Sequence, residues 1–374
     1  MPDALKAVTI GSAMIDIITL VADESVERMT MHNEDASFLL LEQGRKIDAI
    51  SITSHIGGGA VNTAVSLARQ GWNAASHVKL GRDMNAQKIR ECLDKEKISQ
   101  AFVSTCSDCD TGTAVMVSSH DRNATIFTYR GANTRLLPEE ISDAIFAGRD
   151  LVYVASLSNR SADCLPTILN KANTAGASVA FNPGIRQITS RTADLLNSLS
   201  MIDILILNRV EASALVPGLS ARFGSAALAG GPHLSGRSLP TLLRTGFEAL
   251  GFSLSVMAFI KAVRSLGVKW LVITDGAEGA YVAADDGLYF CPTLKTEVAG
   301  TAGAGDAFAS TLAGALVGGA DVPTAMQRAS INAASVVSHI DTQEGLLDDI
   351  TLKARIKETS DALETRYWAY GKAD

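Results

Sequence analysis

The feature that most narrows the fold of this chain is an alternation of short apolar runs with stretches of helical period. Leu151-Val-Tyr-Val-Ala155, Ser178-Val-Ala-Phe181, Ile202-Asp-Ile-Leu-Ile-Leu207 and Lys269-Trp-Leu-Val-Ile-Thr274 are each followed by such a stretch. Strands that are apolar almost throughout are buried on both faces, which happens where crossover helices cover a parallel sheet. From about residue 60 onward the pattern predicts an α/β fold: a doubly wound, mostly parallel sheet flanked by helices.

Two regions break this rhythm. After a first strand expected over Ala7 to Ile18 come Phe38-Leu-Leu-Leu-Glu42, Gly44-Arg45 and Ala49-Ile-Ser-Ile-Thr-Ser-His55, the last alternating apolar with polar as a half-exposed antiparallel strand does. Thr113 to Ser118, a turn at His120-Asp-Arg-Asn123, and Ala124 to Tyr129 read as a hairpin. Together they predict a small antiparallel sheet, from about 17–57 and 112–131, projecting as a lid over the edge of the main layer; the plainer alternative is hairpins packed on the body. A third stretch, about 217–253, is punctuated by Gly218, Gly224, Gly230, Gly231, Pro232, Gly236, Pro240, Gly246 and Gly251 and reads as an insertion. The surplus length is placed there and in a charged tail after 350, leaving 1–374 as one domain with a lid.

Composition removes several functions. Forty acidic against 33 basic residues give a net charge of −7, with no basic run and only scattered aromatics, so no nucleic-acid partner is indicated. Five cysteines in 374 residues are too few for a disulfide framework and point to a reducing, cytoplasmic compartment. Cys106-Ser-Asp-Cys109 has the spacing of half a zinc site, but no second pair follows, and the plain reading is two thiols in a loop. The amino terminus shows no secretory signal, and Leu250 to Ile260 is shorter than the roughly 20 residues a bilayer requires, so no membrane partner is expected.

Three glycine clusters bear on phosphate chemistry. Gly57-Gly58-Gly59-Ala60-Val61-Asn62 begins like a dinucleotide turn, but Asn62 stands at the sixth position and the strand before it is the alternating one. Gly300-Thr-Ala-Gly-Ala-Gly305 has P-loop spacing but is followed by Asp306-Ala307 where Lys and Ser or Thr are required. Gly303-Ala304-Gly305-Asp306 instead opens a helical pattern, so unpaired N–H groups and the positive dipole end form an anion site suited to a phosphoryl group. Asp306 is then either a base placed to take a proton from a hydroxyl or simply the helix cap.

Other segments bear on that choice. Asn208-Arg-Val-Glu211 follows the most buried strand and sets an amide and a carboxylate where α/β proteins bind ligands, a set compatible with water-mediated Mg²⁺. Thr274-Asp-Gly276-Ala-Glu-Gly279 follows the next strand, its glycines allowing a nucleotide close to the backbone. Asp16 sits inside the apolar run Met14 to Ile18 and needs partners, either ligand hydroxyls or a buried salt bridge.

Asp16, Gly57-Gly58 through Asn62, Asn208 through Glu211, Thr274 through Gly279 and Gly303 through Asp306, in that order, resemble the motifs of the ribokinase-like (PfkB) carbohydrate kinases over roughly residues 7 to 345. The resemblance implies an α/β core with a β-sheet lid, ATP and Mg²⁺, and γ-phosphoryl transfer to a hydroxyl of a small sugar. It implies Asp306 as base, with Gly303, Ala304 and Gly305 as anion hole. Asp16, Gly58 and Asn62 would hold the acceptor, Thr274, Gly276, Gly279 and Asn332 would line the nucleotide site, and Asn208 and Glu211 would position Mg²⁺. A homodimer through the lid's exposed edge is a further expectation.

Three departures stand out. Gly300 occupies a position where potassium-activated members carry an acidic residue, so the resemblance does not extend to K⁺ activation. Gly59 replaces the Lys that ribokinase has inside the double-glycine motif, which does not favour ribose. Asn182-Pro183-Gly184-Ile185-Arg186 resembles the family's Asp-Pro-Asn-x-Arg with its first and third residues changed. A nucleoside such as adenosine is the alternative acceptor, and a binding or regulatory protein without catalysis is the alternative class.

Overall fold

The computed structural model describes residues 4–22, 27–31, 36–40, 43–44, 46–118, 124–224, 228, 239–359 and 361–370. The expected turn His120–Asn123, together with Leu41, Glu42, Arg45, Gly230, Gly231, Pro232 and Gly236, lies outside them. The chain enters through β1 (Lys6–Ile10), leaves the main layer for β2 (Met14–Val21), β3 (Glu27–Met31), β4 (Ala36–Leu40) and β5 (Ala49–Gly57), and returns through α1 (Gly59–Arg69) to β6 (Asn73–His77). The short pair β7 (Lys79–Leu80) and β8 (Ser104–Thr105) brackets α2 (Met84–Lys95), and β9 (Gly112–Ser118) and β10 (Ala124–Tyr129) follow outside the main layer.

Alternation then becomes regular. It runs through β11 (Leu151–Val154), α3 (Leu165–Thr174), β12 (Ser178–Phe181), α4 (Ile185–Ser190), α5 (Thr192–Ser198), β13 (Ile204–Asn208) and α6 (Arg209–Phe223). After α7 (Thr241–Thr245), the hairpin β14 (Phe247–Ala249) and β15 (Phe252–Leu254), and α8 (Val256–Arg264) come β16 (Trp270–Thr274), β17 (Ala280–Ala283) and β18 (Gly287–Cys291). The chain closes with α9 (Ala304–Val317), α10 (Val322–Val337), α11 (Asp349–Thr359) and β19 (Arg366–Ala369).

Among the described residues the main sheet has nine strands in the order β19-β18-β17-β16-β13-β12-β11-β1-β6. Every pairing from β16 to β6 is parallel, and β17, β18 and β19 extend the sheet antiparallel. Neighbouring strand residues bury on opposite sides: Leu205, Leu207 and Ile273 join one apolar cluster with α3, α6 and α8, while Ile204, Ile206 and Val272 join another with α9 and α10. That two-sided burial is why these strands read as continuous apolar runs. No helix among the described residues is long and apolar enough to cross a membrane.

The lid is a second sheet, ordered β10-β9-β2-β5. Two antiparallel pairs, β9 with β10 and β2 with β5, are joined by a parallel pairing of β2 with β9. The strand expected to run unbroken from Ala7 to Ile18 is split between the two sheets. Gly11, at φ 151, packs so tightly on Ala155 that a Cβ there would lie 2.9 Å from the Ala155 Cβ, and Gly11–Ala13 turns the chain from body to lid.

Two other boundaries also differ. Pro217 and Gly218, expected to open the insertion, lie inside α6, because Gly218 lets the helix press on Thr192, whose Cγ2 would be 2.3 Å from a Cβ at 218. The tail beyond 350 is no surplus: α11 packs Leu352 into the second cluster, and β19 pairs with β18 at the sheet edge.

Where lid meets body, Asn133 satisfies both backbone polar groups of one residue: Ala13 N donates to its Oδ1 and its Nδ2 donates to Ala13 O, each at 2.9 Å and buried. Each such bond contributes about 1 kcal/mol, and each leaves a buried backbone group unpaired when removed. Asn133→Ala is therefore expected to lower unfolding free energy by about 2 to 4 kcal/mol in urea titration; an unchanged midpoint would show the corner is held by other contacts.

Candidate active site

The site gathers at the carboxyl ends of the parallel strands, the end of an open α/β sheet where ligands bind. Asn208 ends β13 and Thr274 ends β16, directly paired in register. Asp306 lies in the first turn of α9, whose N-cap is Gly303 in the left-handed conformation (φ 79) with no side chain capping the first turn. Only glycine fits there: a Cβ on Gly303 would meet Thr342 Cβ at 2.8 Å and Thr342 O at 2.9 Å. Gly305 has nothing within 4 Å of a notional Cβ, so this turn faces open space.

Asp16 reaches the same place from the lid. It is 7% exposed, and no hydrogen bond or salt bridge engages its side chain among the described residues. The buried salt bridge that its apolar neighbourhood allowed is not formed. Burial first, and then the charge of Asp306, push its carboxyl up to about 6, with His55 acting weakly in the opposite sense. Gly57 makes room for it: a Cβ at 57 would lie 2.0 Å from Asp16 Oδ2. Gly58 (φ 97) is pressed on Ser12 and Ala13, whose nearest atoms would be 2.6 and 2.7 Å from a Cβ, and the turn is tied by Gly59 N donating to Ser12 Oγ at 3.1 Å.

Asn62 is tied directly to Asp306. Its Nδ2 donates to Asp306 Oδ2 at 2.8 Å, while its Oδ1 accepts from Thr342 Oγ1 at 3.2 Å and Gln343 Nε2 at 3.1 Å. It is buried, and one N–H of its amide holds Asp306 while its oxygen is taken up by the 342–343 segment. Burial raises the Asp306 carboxyl above its ordinary range, and the Asn62 hydrogen bond partly restrains the rise.

Asn208 and Glu211 form a reciprocal cap on α6: Glu211 N donates to Asn208 Oδ1 and Asn208 N donates to Glu211 Oε2, both at 2.9 Å. Burial pushes the Glu211 carboxyl up to about 7, and no cationic side chain offsets it. A buried carboxylate with one committed oxygen and no counter-charge fits water-mediated Mg²⁺, which needs few protein ligands. Tyr153 on β11, fully buried and absent from the sequence expectations, has its hydroxyl within electrostatic reach of Asp306 and Glu211 but in no hydrogen bond of good geometry.

The nucleotide expectations divide. Thr274 is partly exposed at its strand end, Gly276 (φ 54) has open space where a side chain would point, and Gly279 (φ 130) is crowded, with Cys291 O 2.3 Å from a notional Cβ. Asn332 requires correction. It is 0% exposed, its Nδ2 donates to Thr311 Oγ1 at 2.8 Å, and its Oδ1 accepts from Leu347 N at 2.9 Å. It therefore locks α10 to α9 from inside and does not line a nucleotide site. Gly300 is closed in by the following loop, with His339 O 3.1 Å from a notional Cβ, so an acidic side chain would be crowded. The Cys106 and Cys109 thiols are also corrected: they are joined as a disulfide, because the tight turn between them brings their Cα atoms within 5.8 Å.

A family model described as "pfkB family carbohydrate kinase" matches residues 4–222 and 246–349. The chain is 23% identical over 372 residues to the bifunctional ribokinase/ribose-5-phosphate isomerase A of Fructilactobacillus sanfranciscensis, covering 98% of this chain but only 60% of that protein's length. It is 26% identical over 274 residues to the ATP-dependent ribose-1-phosphate kinase of Halopiger xanaduensis, 73% of this chain and 77% of the relative. Ribokinase of Arabidopsis thaliana, solved with ribose and ATP, has the same fold at a TM-score of 0.71 and 20% identity, with 95% of this chain and 99% of that one covered.

Because Asp16 titrates at about 6 in the fold against an ordinary value of 3.8, its stabilising contribution is complete below pH 4 and is lost as pH rises through 6. Asp16→Asn is expected to be more stable than the parent at pH 7 by on the order of 3 kcal/mol, and equal to it at pH 4. Chemical denaturation at the two pH values checks this, and a pH-independent difference would refute it.

Proposed function

The chain belongs to the pfkB family of carbohydrate kinases, which are phosphotransferases, and on that premise we propose that it transfers the γ-phosphoryl group of ATP to a hydroxyl of a small sugar with Asp306 as base. The observation that carries this reading is the pair Asp16, buried, and Asp306, partly buried, with no cationic side chain paired to either among the described residues, beside the uncapped first turn of α9. Such a pair attracts hydrogen-bond donors, and a sugar offers adjacent hydroxyls.

In this reading one acceptor hydroxyl donates to Asp306 and its neighbours to Asp16. The acceptor oxygen attacks the γ-phosphorus, the bond from that phosphorus to the bridging oxygen breaks to leave ADP, and the hydroxyl proton passes to Asp306. Phosphoryl transfer has a loose transition state, so position and charge neutralisation matter more than a strong base. The N–H groups of the Gly303–Asp306 turn face the oxygens of the transferred group, and Asn62 keeps Asp306 aimed. Asn208 and Glu211 would hold Mg²⁺ through water, and the ion would supply charge neutralisation to the phosphates. Thr274, Gly276 and Gly279 would border the nucleotide. The named activity of the Halopiger relative on ribose 1-phosphate, and the ribose and ATP in the Arabidopsis structure, support the same acceptor and donor classes.

We further propose that a second copy covers the outer face of the lid. Ile52 and Phe127 are 66% and 58% exposed, and with Tyr129 they project on the face away from Asp16. Apolar area of this kind is what a second copy would bury.

Asp306→Asn should lower turnover by about 10²- to 10⁴-fold while the KM for ATP changes little, as steady-state kinetics would report; near-parental turnover would remove the base assignment. For the lid, Ile52→Lys should shift sedimentation from dimer to monomer, and a parent protein that already sediments as a monomer would exclude this interface.

A further inference from the structure

Next to the two carboxylates, at the ends of β11 and β12, a cavity of about 180 Å³ is lined by Arg130, Ser156, Ser158, Gly184, Arg186 and Gln187, among others, with no acidic residue in its wall. Arg130 donates from Nη1 to Ser158 Oγ at 3.0 Å, and its guanidinium is held below its ordinary range by burial and by the facing charge of Arg186. Arg186 is exposed, and no acid pairs with it among the described residues. The contrast with Arg191 on the same wall is informative, since that side chain is satisfied by Asp163 and by Asn159 O. Two arginines converging without a carboxylate repel one another until an anion stands between them, and each offers a planar fork matched to carboxylate or phosphate oxygens.

Gly184 keeps the cavity open. A Cβ at 184 would lie 2.4 Å from Ser156 Oγ, so a residue of ordinary size in this segment would displace that hydroxyl. The cavity also borders the reacting centre. Ser156 follows Ala155, whose Cβ would be 3.0 Å from a Cβ at Gly59, and that same notional atom would lie 3.5 Å from Asp306 Oδ1. Arg130 follows the end of β10 in the alternation of Thr128, which the register sets beside Ala114 and, beyond it, Asp16. The cationic wall and the acidic pair thus belong to one cleft.

We propose that Arg130 and Arg186 form an anion subsite for the acceptor, so that the molecule phosphorylated here is a sugar carrying a carboxylate or a phosphate at the end remote from its reacting hydroxyl. This rests on the kinase reading above. The charged end docks on the arginines and Ser158, and the hydroxyl end falls between Asp16 and Asp306.

The test is a coupled assay of the full chain with ATP and Mg²⁺ on neutral sugars, each beside its aldonate and its phosphate, for example D-glucitol beside D-gluconate and D-ribose beside D-ribose 5-phosphate. An anionic member is expected to exceed its neutral counterpart in kcat/KM by at least about tenfold, and which one does so separates carboxylate from phosphate. Arg186→Met should cut that anionic-to-neutral ratio by about 10- to 100-fold, mainly through KM, with Arg186→Lys in between and the KM for ATP within about twofold. Arg130→Met should act in the same direction. Preference for neutral acceptors, or a ratio unmoved by both methionine variants, overturns the subsite and leaves the kinase reading standing. Absence of transfer to every acceptor overturns both.

Discussion

Everything at this site depends on two carboxylates brought together from different parts of the fold. Asp16 comes from the lid sheet and Asp306 from the first turn of a helix in the body, and burial makes each reluctant to ionise. With the carboxyl at 16 pushed up to about 6 and the one at 306 also raised by burial, negative charge is costly here, in a place where low polarity strengthens repulsion between the two groups. Protein structure normally cancels such a pair with Arg or Lys, but here the nearest positive influence is His55, which is already engaged with Asp341 at 2.7 Å. The charge is left for hydroxyl donors to neutralise. Since one member stands on the lid and the other on the body, an acceptor that satisfies both also draws the two parts together, so closure and acceptor binding share the same free energy.

The 341–346 loop makes that arrangement rigid. Arg69 is its anchor: Nη1 donates to Gln343 O at 2.7 Å and Leu346 O at 3.0 Å, while Nη2 is paired with Glu96 at 2.7 Å. Held in this way, the loop presents Asp341 to His55 on the lid strand, Thr342 to Ile56 O at 2.9 Å, and both Thr342 and Gln343 to Asn62. Asn62 in turn aims Asp306. The orientation of Asp306 and the attachment of the lid therefore hang on one short segment.

What the sequence made legible was the part where chemistry demands particular residue types. An acid in the first turn after Gly-Ala-Gly, an Asn-x-x-Glu at the end of a buried strand and an Asp inside an apolar run each conflict with local rules unless a ligand resolves them, and conflicts of that kind are visible without a fold. Asn332 shows the limit: an amide that locks two helices and one that meets a nucleotide are the same letter, and only the contacts with Thr311 and Leu347 tell them apart. Pro217 and Gly218 suggested a loop because a glycine needed for close packing on Thr192 looks like one needed for a turn. Asn62 is assigned to the acceptor by resemblance alone, and its ties to Thr342 and Gln343 leave no trace in the sequence because those residues lie some 280 positions away. Arg130 carried no signal and Arg186 stood only as the last residue of the Asn182–Arg186 resemblance; the two become a feature only when β10 and the segment after β12 are brought to one cleft.

That cleft is electrically polar along its length, and the polarity bears on which hydroxyl reacts. At one end two guanidiniums converge; at the other two carboxylates face each other, with Gly59 and Ala155 as the apolar floor between. An acceptor with a negative group at one end and hydroxyls at the other has one low-energy orientation in such a field, since reversal would set its anion against Asp16 and Asp306. A neutral sugar lacks that bias and can present more than one hydroxyl to the base. Water has no anionic end with which to occupy the arginines, and is too small to bridge from them to Asp306. Discrimination against water and selection of one hydroxyl would then arise from a single arrangement of charge, with the anion as the handle by which the acceptor is positioned.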